Sequence, residues 1–405
     1  MKRSRVLFIP VGVLCILGLG AFASTAAAAP VQCGDVITED LKLQADLTDC
    51  PDDGLVVGAD RITINLNGHE VSSECQGDEC IGRIGIDNSG FDRVRIRNGT
   101  VSGFEQTIRL QRSDRNTLAD LEVDGGIVGL LGSISLVLDH SNRNVIRDSF
   151  VSGGDPGGAV LSGSDHNKFA RSTLFGGGVI DIRNGSGLVL LDGSDANTLS
   201  RSTADAGGGG VTIWNSVHNS IRNSAINHGL SLFNADRTLI VGNDLSGGQG
   251  NGVSARGDQN TIRGNRIDGG IYLLGDRNLA TANRITGDFG GLVYVDSGDR
   301  NVVRANDVTP RLNFASFGAP VIRVLATASR TSLIDKNASG GFDASEPGIV
   351  DGIKVDAPGT LIRGNTANDN DALGINAVDG VIDGGGNHAS GNGDPRQCVG
   401  VVCTP

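Results

Sequence analysis

Asn260-Thr261-Ile262-Arg263-Gly264-Asn265 is the stretch on which the reading of the whole chain turns. It sets an apolar residue two positions after an asparagine and a second asparagine five positions after it. The same frame returns upstream as Asn219-Ser220-Ile221 with Ser224, Asn197-Thr198-Leu199 with Ser202, Asn167-Lys168-Phe169 with Ser172, and Asn144-Val145-Ile146 with Ser149. Downstream it reads Asn278-Leu279-Ala280 with Asn283, and Asn301-Val302-Val303 with Asn306. Taking the first asparagine as a slot, Val94, Thr238, Ser332 and Thr360 fill it in degenerate copies, and consecutive slots lie about 24 residues apart on average. One structural unit therefore repeats along the chain.

Columns define what each unit buries. Two positions beyond the slot stand Ile96, Leu118, Ile146, Phe169, Ile240 and Ile262, with Ile334 and Ile362 in the late copies. Seven beyond it stand Val101, Val123, Val151, Leu245, Ile267, Ile285 and Val308, with Ser339 the exception. Such columns must face an interior. The Asn or Ser five beyond the slot is then a buried polar group that needs a partner, and its equivalent one unit away can supply it. A second alternating strand follows a glycine, as in Gly210-Val211-Thr212-Ile213 and Gly270-Ile271-Tyr272-Leu273. Period-2 alternation broken by glycines excludes helical repeats. Each unit is thus a coil of two or three short strands, stacked in parallel on the next at ~4.8 Å, and twelve copies make a rod of roughly 60 Å.

Slot, ladder and apolar columns together resemble the right-handed parallel β-helix superfamily of pectin-lyase-like proteins, and within it the NosD-type and carbohydrate-binding β-helix repeats. The resemblance runs from about Gly54 to Asn392. It implies an all-β, single-stranded right-handed parallel β-helix, a solenoid of about 12–14 coils, and a role in binding or modifying extracellular polysaccharide. Ca2+ enters only through the resemblance, and the residues themselves predict no cofactor.

The ends read differently from the middle. Residues 1–29 run from Lys2-Arg3-Ser4-Arg5 through an apolar stretch into an alanine run, the order of a secretory signal peptide. That predicts export to the outside of the cell and no membrane span once the leader is cleaved. Residues 30–57 are assigned to an N-terminal cap and first coil, 58–392 to the solenoid and 393–405 to a C-terminal tail. Cys33, Cys50, Cys75, Cys80, Cys398 and Cys403 cluster at these ends, and an even number in an exported chain points to disulfides. Proximity selects Cys33 with Cys50, Cys75 with Cys80, and Cys398 with Cys403. A side loop is expected around Leu312 to Leu325, where the interval between slots is long.

Composition bounds the chemistry. With 405 residues, 34 basic against 46 acidic side chains and a formal charge of −12, the chain is a poor partner for nucleic acid. Outward columns must carry any function. Six beyond the slot stand Asp244, Arg266, Arg284 and Asp307 in successive coils, and three beyond it Arg263 and Arg304. Arginines beside carboxylates can hold an acidic sugar while a carboxylate removes the proton next to its carboxyl group, which is lyase or epimerase chemistry. The same column also reads as a surface ion-pair ladder. Asp244 and Asp307 are three coils apart, roughly 14 Å, too far for glycosidic hydrolysis. Tyr272 points outward and is a sugar-stacking candidate, whereas His166 and His218 read as exposed turn residues. Two functions follow: a polysaccharide lyase or epimerase acting through Asp244, Arg266, Arg284 and Asp307 with Arg263, Tyr272 and Arg304 on the substrate, or a non-catalytic surface or matrix protein. The partner in the first is extracellular or cell-wall polysaccharide.

Overall fold

The structure, a computed structural model, describes residues 30–74, 82–125, 133–154, 157–177, 185–246, 252–287, 292–310, 320–335, 337–339 and 350–405. Gln32–Pro405 form one unit. Each coil presents three strands, and every pairing between strands is parallel. The first face is a sheet of 17 strands, running from Asp35–Ile37 through Ile271–Leu274 to Cys398–Val399. One of them, Ala328–Ser329, extends the coil that Ile322–Val324 opens, so among the described residues sixteen coils stack on this face. The expected 12–14 counted only coils carrying the slot motif. Cap and tail are also wound in: Asp35–Ile37 pairs with Leu55–Val57, and Cys403–Thr404 with Asn387–His388.

The slot face holds strands such as Thr63–Asn65 and Thr261–Arg263, and the third face strands such as Glu70–Ser72 and Arg266–Asp268. Their middle residues point inward. Ile221, Ile240 and Ile262 are successive partners on the slot face, Ile226, Leu245 and Ile267 on the third, and all are buried. Each buried Ile or Leu contributes about 1.5–3 kcal/mol relative to exposure. Repetition makes the core a continuous prism.

One local prediction shifts. Val302 pairs with Ser332 and Val303 with Leu333, so Thr331 occupies the slot and Leu333 the buried position, in place of Ser332 and Ile334. An extra residue between Leu333 and Asn337 restores the frame, and Asn337 still accepts from the Asn306 backbone N–H at 3.1 Å. The expected loop at 312–325 is likewise corrected in part. Ile322–Val324 is a first-face strand, and 311–319 lie outside the described residues, as do 1–29 and the Cys75–Cys80 pair.

The ladders are directional. In the slot column, Asn278 Oδ1 accepts from the Asn260 N–H at 2.9 Å and Asn301 Oδ1 from the Asn278 N–H at 2.9 Å. In the second column, Asn265, Asn283 and Asn306 repeat this at 2.9–3.0 Å from the backbone of the coil before, while each Nδ2 donates to a carbonyl further back. Ser149, Ser172 and Ser202 continue that column with hydroxyls. A third ladder, not expected from the sequence, is Ser141, Ser164, Ser194 and Ser216. A buried N–H left without its acceptor costs about 1–3 kcal/mol, so these side chains keep the bends closed.

The residue before each ladder position bends the chain. Arg237, Gln259, Arg277 and Arg300 precede the slot, and Asn223, Gly242, Gly264, Ala282 and Ala305 precede the second ladder, all at positive φ. A left-handed residue turns the strand sharply at a cost of about 1 kcal/mol for non-glycine residues, and the side-chain acceptor behind it offsets that cost. Exposed His166 and His218 sit in this turn column, as expected. Disulfides join Cys33 to Cys50 and Cys398 to Cys403 at the two ends. Near the last coil, Gln397 Oε1 accepts from the Asn392 N–H at 3.1 Å, after Asn392 has served Asn370 at 2.9 Å.

Candidate functional site

Identical backbone ladders carry very different outward residues. On the slot face, from Lys42 to Arg363, the outward positions hold Lys42, Arg95, Arg97, Arg147, Lys168, Arg222, Arg263, Arg304 and Arg363 and no carboxylate. On the third face they hold Glu70, Glu122, Asp124, Asp205, Asp244, Asp268 and Asp307 against Arg266 and Arg284. Turn carboxylates partly neutralise the basic side: Arg304 Nε lies 2.9 Å from Asp335, whose other oxygen is 3.4 Å from Arg363.

The predicted catalytic column lies on the acidic face. Asp244, Arg266, Arg284 and Asp307 are successive partners in the register. Arg266 Nε is 4.0 Å from Asp244 Oδ1, and Arg284 Nε is 4.0 Å from Asp307 Oδ2. Exposure is 74% and 72% in the first pair and 73% and 61% in the second, so water screens both. Arg263 and Arg304 stand two coils apart on the neighbouring slot face. Tyr272 lies on the first face, away from this column.

Around Tyr272 the first face gathers the chain's single Trp and both of its Tyr residues. Trp214, Phe233 and Arg256 occupy one outward column in successive coils, and Ser254, Tyr272, Tyr294 and Arg323 the column beside it. The Trp214 and Phe233 rings stack with centroids 4.9 Å apart at 27°, and the Arg256 guanidinium lies 5.3 Å over Phe233. Tyr272 and Tyr294 stack at 5.5 Å and 15°, and Arg323 lies 5.8 Å from the Tyr294 ring. Offset stacking explains both pairs, because the coil spacing places equivalent rings at stacking distance.

Polar groups fix the arginine end of this platform. Arg323 donates to the Tyr294 hydroxyl at 3.0 Å and to Asp356 at 3.2 and 3.1 Å. Burial works against the Arg323 charge, but its hydrogen bond to Asp356 and the neighbouring Tyr294 raise its pKa above the ordinary value. Burial, with Tyr294 beside it, raises the Tyr272 phenol. Both rings are half-buried, with Thr212, Ser231 and Ser254 as small neighbours in the adjacent rows. The platform can stack sugar rings and donate hydrogen bonds from Arg256 and Arg323.

Counting from the slot places Tyr272 outward but leaves the register of Tyr294 open and does not separate Trp214 from a residue packing a corner. Tyr272 precedes its slot by six residues, Tyr294 by seven, and Trp214 by five. An irregularity opposite Leu273 and Leu274 adds a residue to the Tyr294 strand, so counting back from the slot misaligns the two rings.

Parallel pairing in three faces, with inward side-chain ladders, defines a parallel β-helix. A family model of the right-handed β-helix region matches residues 158–308 and 228–403, more than half of the chain, and the protein belongs to that family. Residues 65–228 match the model described as periplasmic copper-binding protein (NosD). Among the described residues no three His, Cys, Asp or Glu side chains are grouped to hold a metal ion, so no copper chemistry is derived for this chain. No helix of the described residues is long and apolar enough to cross a membrane.

The chain is similar to several solved structures at low identity. The A-module of the mannuronan C-5 epimerase AlgE6 of Azotobacter vinelandii is 13% identical, over 86% of this chain and 91% of that one, with a TM-score of 0.49. Tailspike protein 3 of bacteriophage CBA120 is 14% identical over 91% of this chain and 56% of that one, at 0.41. The surface protein and adhesin PfbA of Streptococcus pneumoniae is 9% identical over 83% and 89%, at 0.34. No curated protein sequence matches the chain significantly.

Proposed function

We propose that this protein binds an extended polysaccharide along its first face, outside the cytoplasm, and holds it without cleaving it. The aromatic platform carries the reading: one Trp and two Tyr in the whole chain, all on one exterior face within five successive coils, beside two arginines. A rod whose repeat brings equivalent rings into register suits a linear polymer. The leader-like N-terminus and the two end disulfides support the location.

Lyase or epimerase chemistry at Asp244, Arg266, Arg284 and Asp307 has weaker support. A proton acceptor for such a reaction works best when shielded from water and tuned in pKa. These four side chains are open to solvent. Binding to an array of neutral and acidic polysaccharides, paired with an assay for unsaturated or epimerised product, tests both readings. Binding without product, weakened about 10-fold in Trp214→Ala and in Tyr272→Ala, is expected. Turnover that disappears in Arg266→Ala and Arg284→Ala would establish the enzyme instead. Retained binding in both aromatic variants would remove the platform from the account.

A further inference from the structure

We propose that the slot face of the early coils carries a second binding site, which takes the carboxylate or sulfate group of an acidic polysaccharide. A cavity of about 280 Å³ opens there, lined by Thr63, Arg95, Arg97, Thr117, Ala119 and Arg147. It is on a different face from the aromatic platform and does not depend on it.

The register builds the cavity. Arg95 and Arg97 flank buried Ile96 on one strand, so both side chains leave the same surface. Arg97, Ala119 and Arg147 are successive partners in one column. Ala119 is only a methyl group, and it leaves a gap between two guanidinium-bearing coils roughly 9.6 Å apart. Thr117 lies beside it and offers a hydroxyl at the base. Any long side chain at 119 would fill the space.

Charge is arranged to keep the cavity positive. Among the described residues no carboxylate pairs with Arg95 or Arg97. Arg147 Nη1 donates to Asp148 Oδ2 at 2.7 Å, but Asp148 is also gripped by Arg171 Nε and Nη2 at 2.6 and 2.7 Å. Asp148 therefore anchors Arg147 at the rim while Arg171 offsets its charge, and Asp120 faces Arg171. Two unpaired guanidiniums in a protein of formal charge −12 are a local sink for anions. Forked N–H donors match the paired oxygens of a carboxylate or sulfate. The net charge of −12 and the acidic third face repel a long, densely charged polymer such as nucleic acid, whereas a polysaccharide chain with spaced charges can dock here.

The test titrates the full chain with a sulfated heparin-type oligosaccharide, an oligogalacturonate, a neutral glucan of equal length and a single-stranded oligonucleotide, at low and high salt. The wild type should bind one or both acidic sugars, more weakly at high salt. Arg95→Ala with Arg97→Ala should reduce that binding at least about 10-fold while Arg396→Ala, an exposed arginine near the C-terminal end, leaves it unchanged. Ala119→Gln, which fills the gap and keeps every charge, should also weaken it. If either variant loses its β circular dichroism, Arg95→Lys with Arg97→Lys takes its place, and weakened binding is again expected. Unchanged acidic-sugar affinity in the arginine variants, or oligonucleotide binding as tight as that of the sugars, overturns the proposal. Loss in Tyr272→Ala alone would assign the acidic sugar to the platform and overturn it too.

Discussion

Slot face and third face are built on the same ladder, coil for coil, and they differ only in what points outward. The slot face carries nine cations and no carboxylate from Lys42 to Arg363, while the third face carries seven carboxylates and two arginines. Folding demands neither pattern, because both sets of side chains are exposed and exposed ion pairs contribute about 0–1 kcal/mol. Segregation of charge between faces with equivalent interiors is therefore information about partners. Inward residues specify the coil and outward residues specify the surface.

Four measurements can break or sharpen that contrast. The largest effects should come from inside and be alike on the two faces: Ile262→Ala on the slot face and Ile267→Ala on the third should each cost about 2–5 kcal/mol in denaturant unfolding. Both are fully buried, and a clear inequality would mean that one face is not packed as its twin. Next, Asn283→Ala, at the bend between the faces, should cost about 1–3 kcal/mol, since it strands the Asn265 N–H and the Ile262 carbonyl, now bonded at 3.0 and 2.9 Å. Third, Arg266→Ala and Arg284→Ala should shift stability by less than about 1 kcal/mol, matching their screened 4.0 Å pairs.

The smallest effect concerns acid. Hydrogen bonds from Arg171 and then Arg147 hold the Asp148 carboxyl at about 2, below its ordinary 3.8. A lowered carboxyl contributes to stability above its unfolded value and loses that contribution as pH falls through the folded one. The tie should thus weaken between about pH 4 and 2, and a carboxyl chemical-shift titration should place Asp148 near 2. Asp148→Asn should reduce the pH dependence of the melt in that window, leaving the share that Asp394, also held at about 2, contributes. A midpoint near 3.8 would show that the arginines do not grip it.

Much of the fold was written in the sequence because a solenoid repeats its own constraints. Slot, ladder and the two apolar columns recur at fixed offsets since the bend between slot face and third face has a constant length. Where one residue is inserted, as between Leu333 and Asn337, the frame slipped and Ser332 was placed where Thr331 belongs. The candidate sites were less legible for the same reason. The Tyr294 strand carries an extra residue, so the stacking of Tyr272 on Tyr294 cannot be counted from the slot, whereas Trp214 and Phe233 each precede their slots by five residues and that equal spacing was the signal for their stack. The cavity around Ala119 has no motif at all. It is a small residue between two large ones in a column, visible only once the register is known.

Gln397 ends one of the stacked amide rows by lending its side chain where a further turn of backbone would otherwise offer an asparagine. Because every layer is completed by the one made after it, winding has a sense, and a nascent chain emerging N-terminus first always exposes an unfinished rung. A chain cut short of Gln397 would keep that hunger permanently, and a second such chain is the nearest thing able to satisfy it.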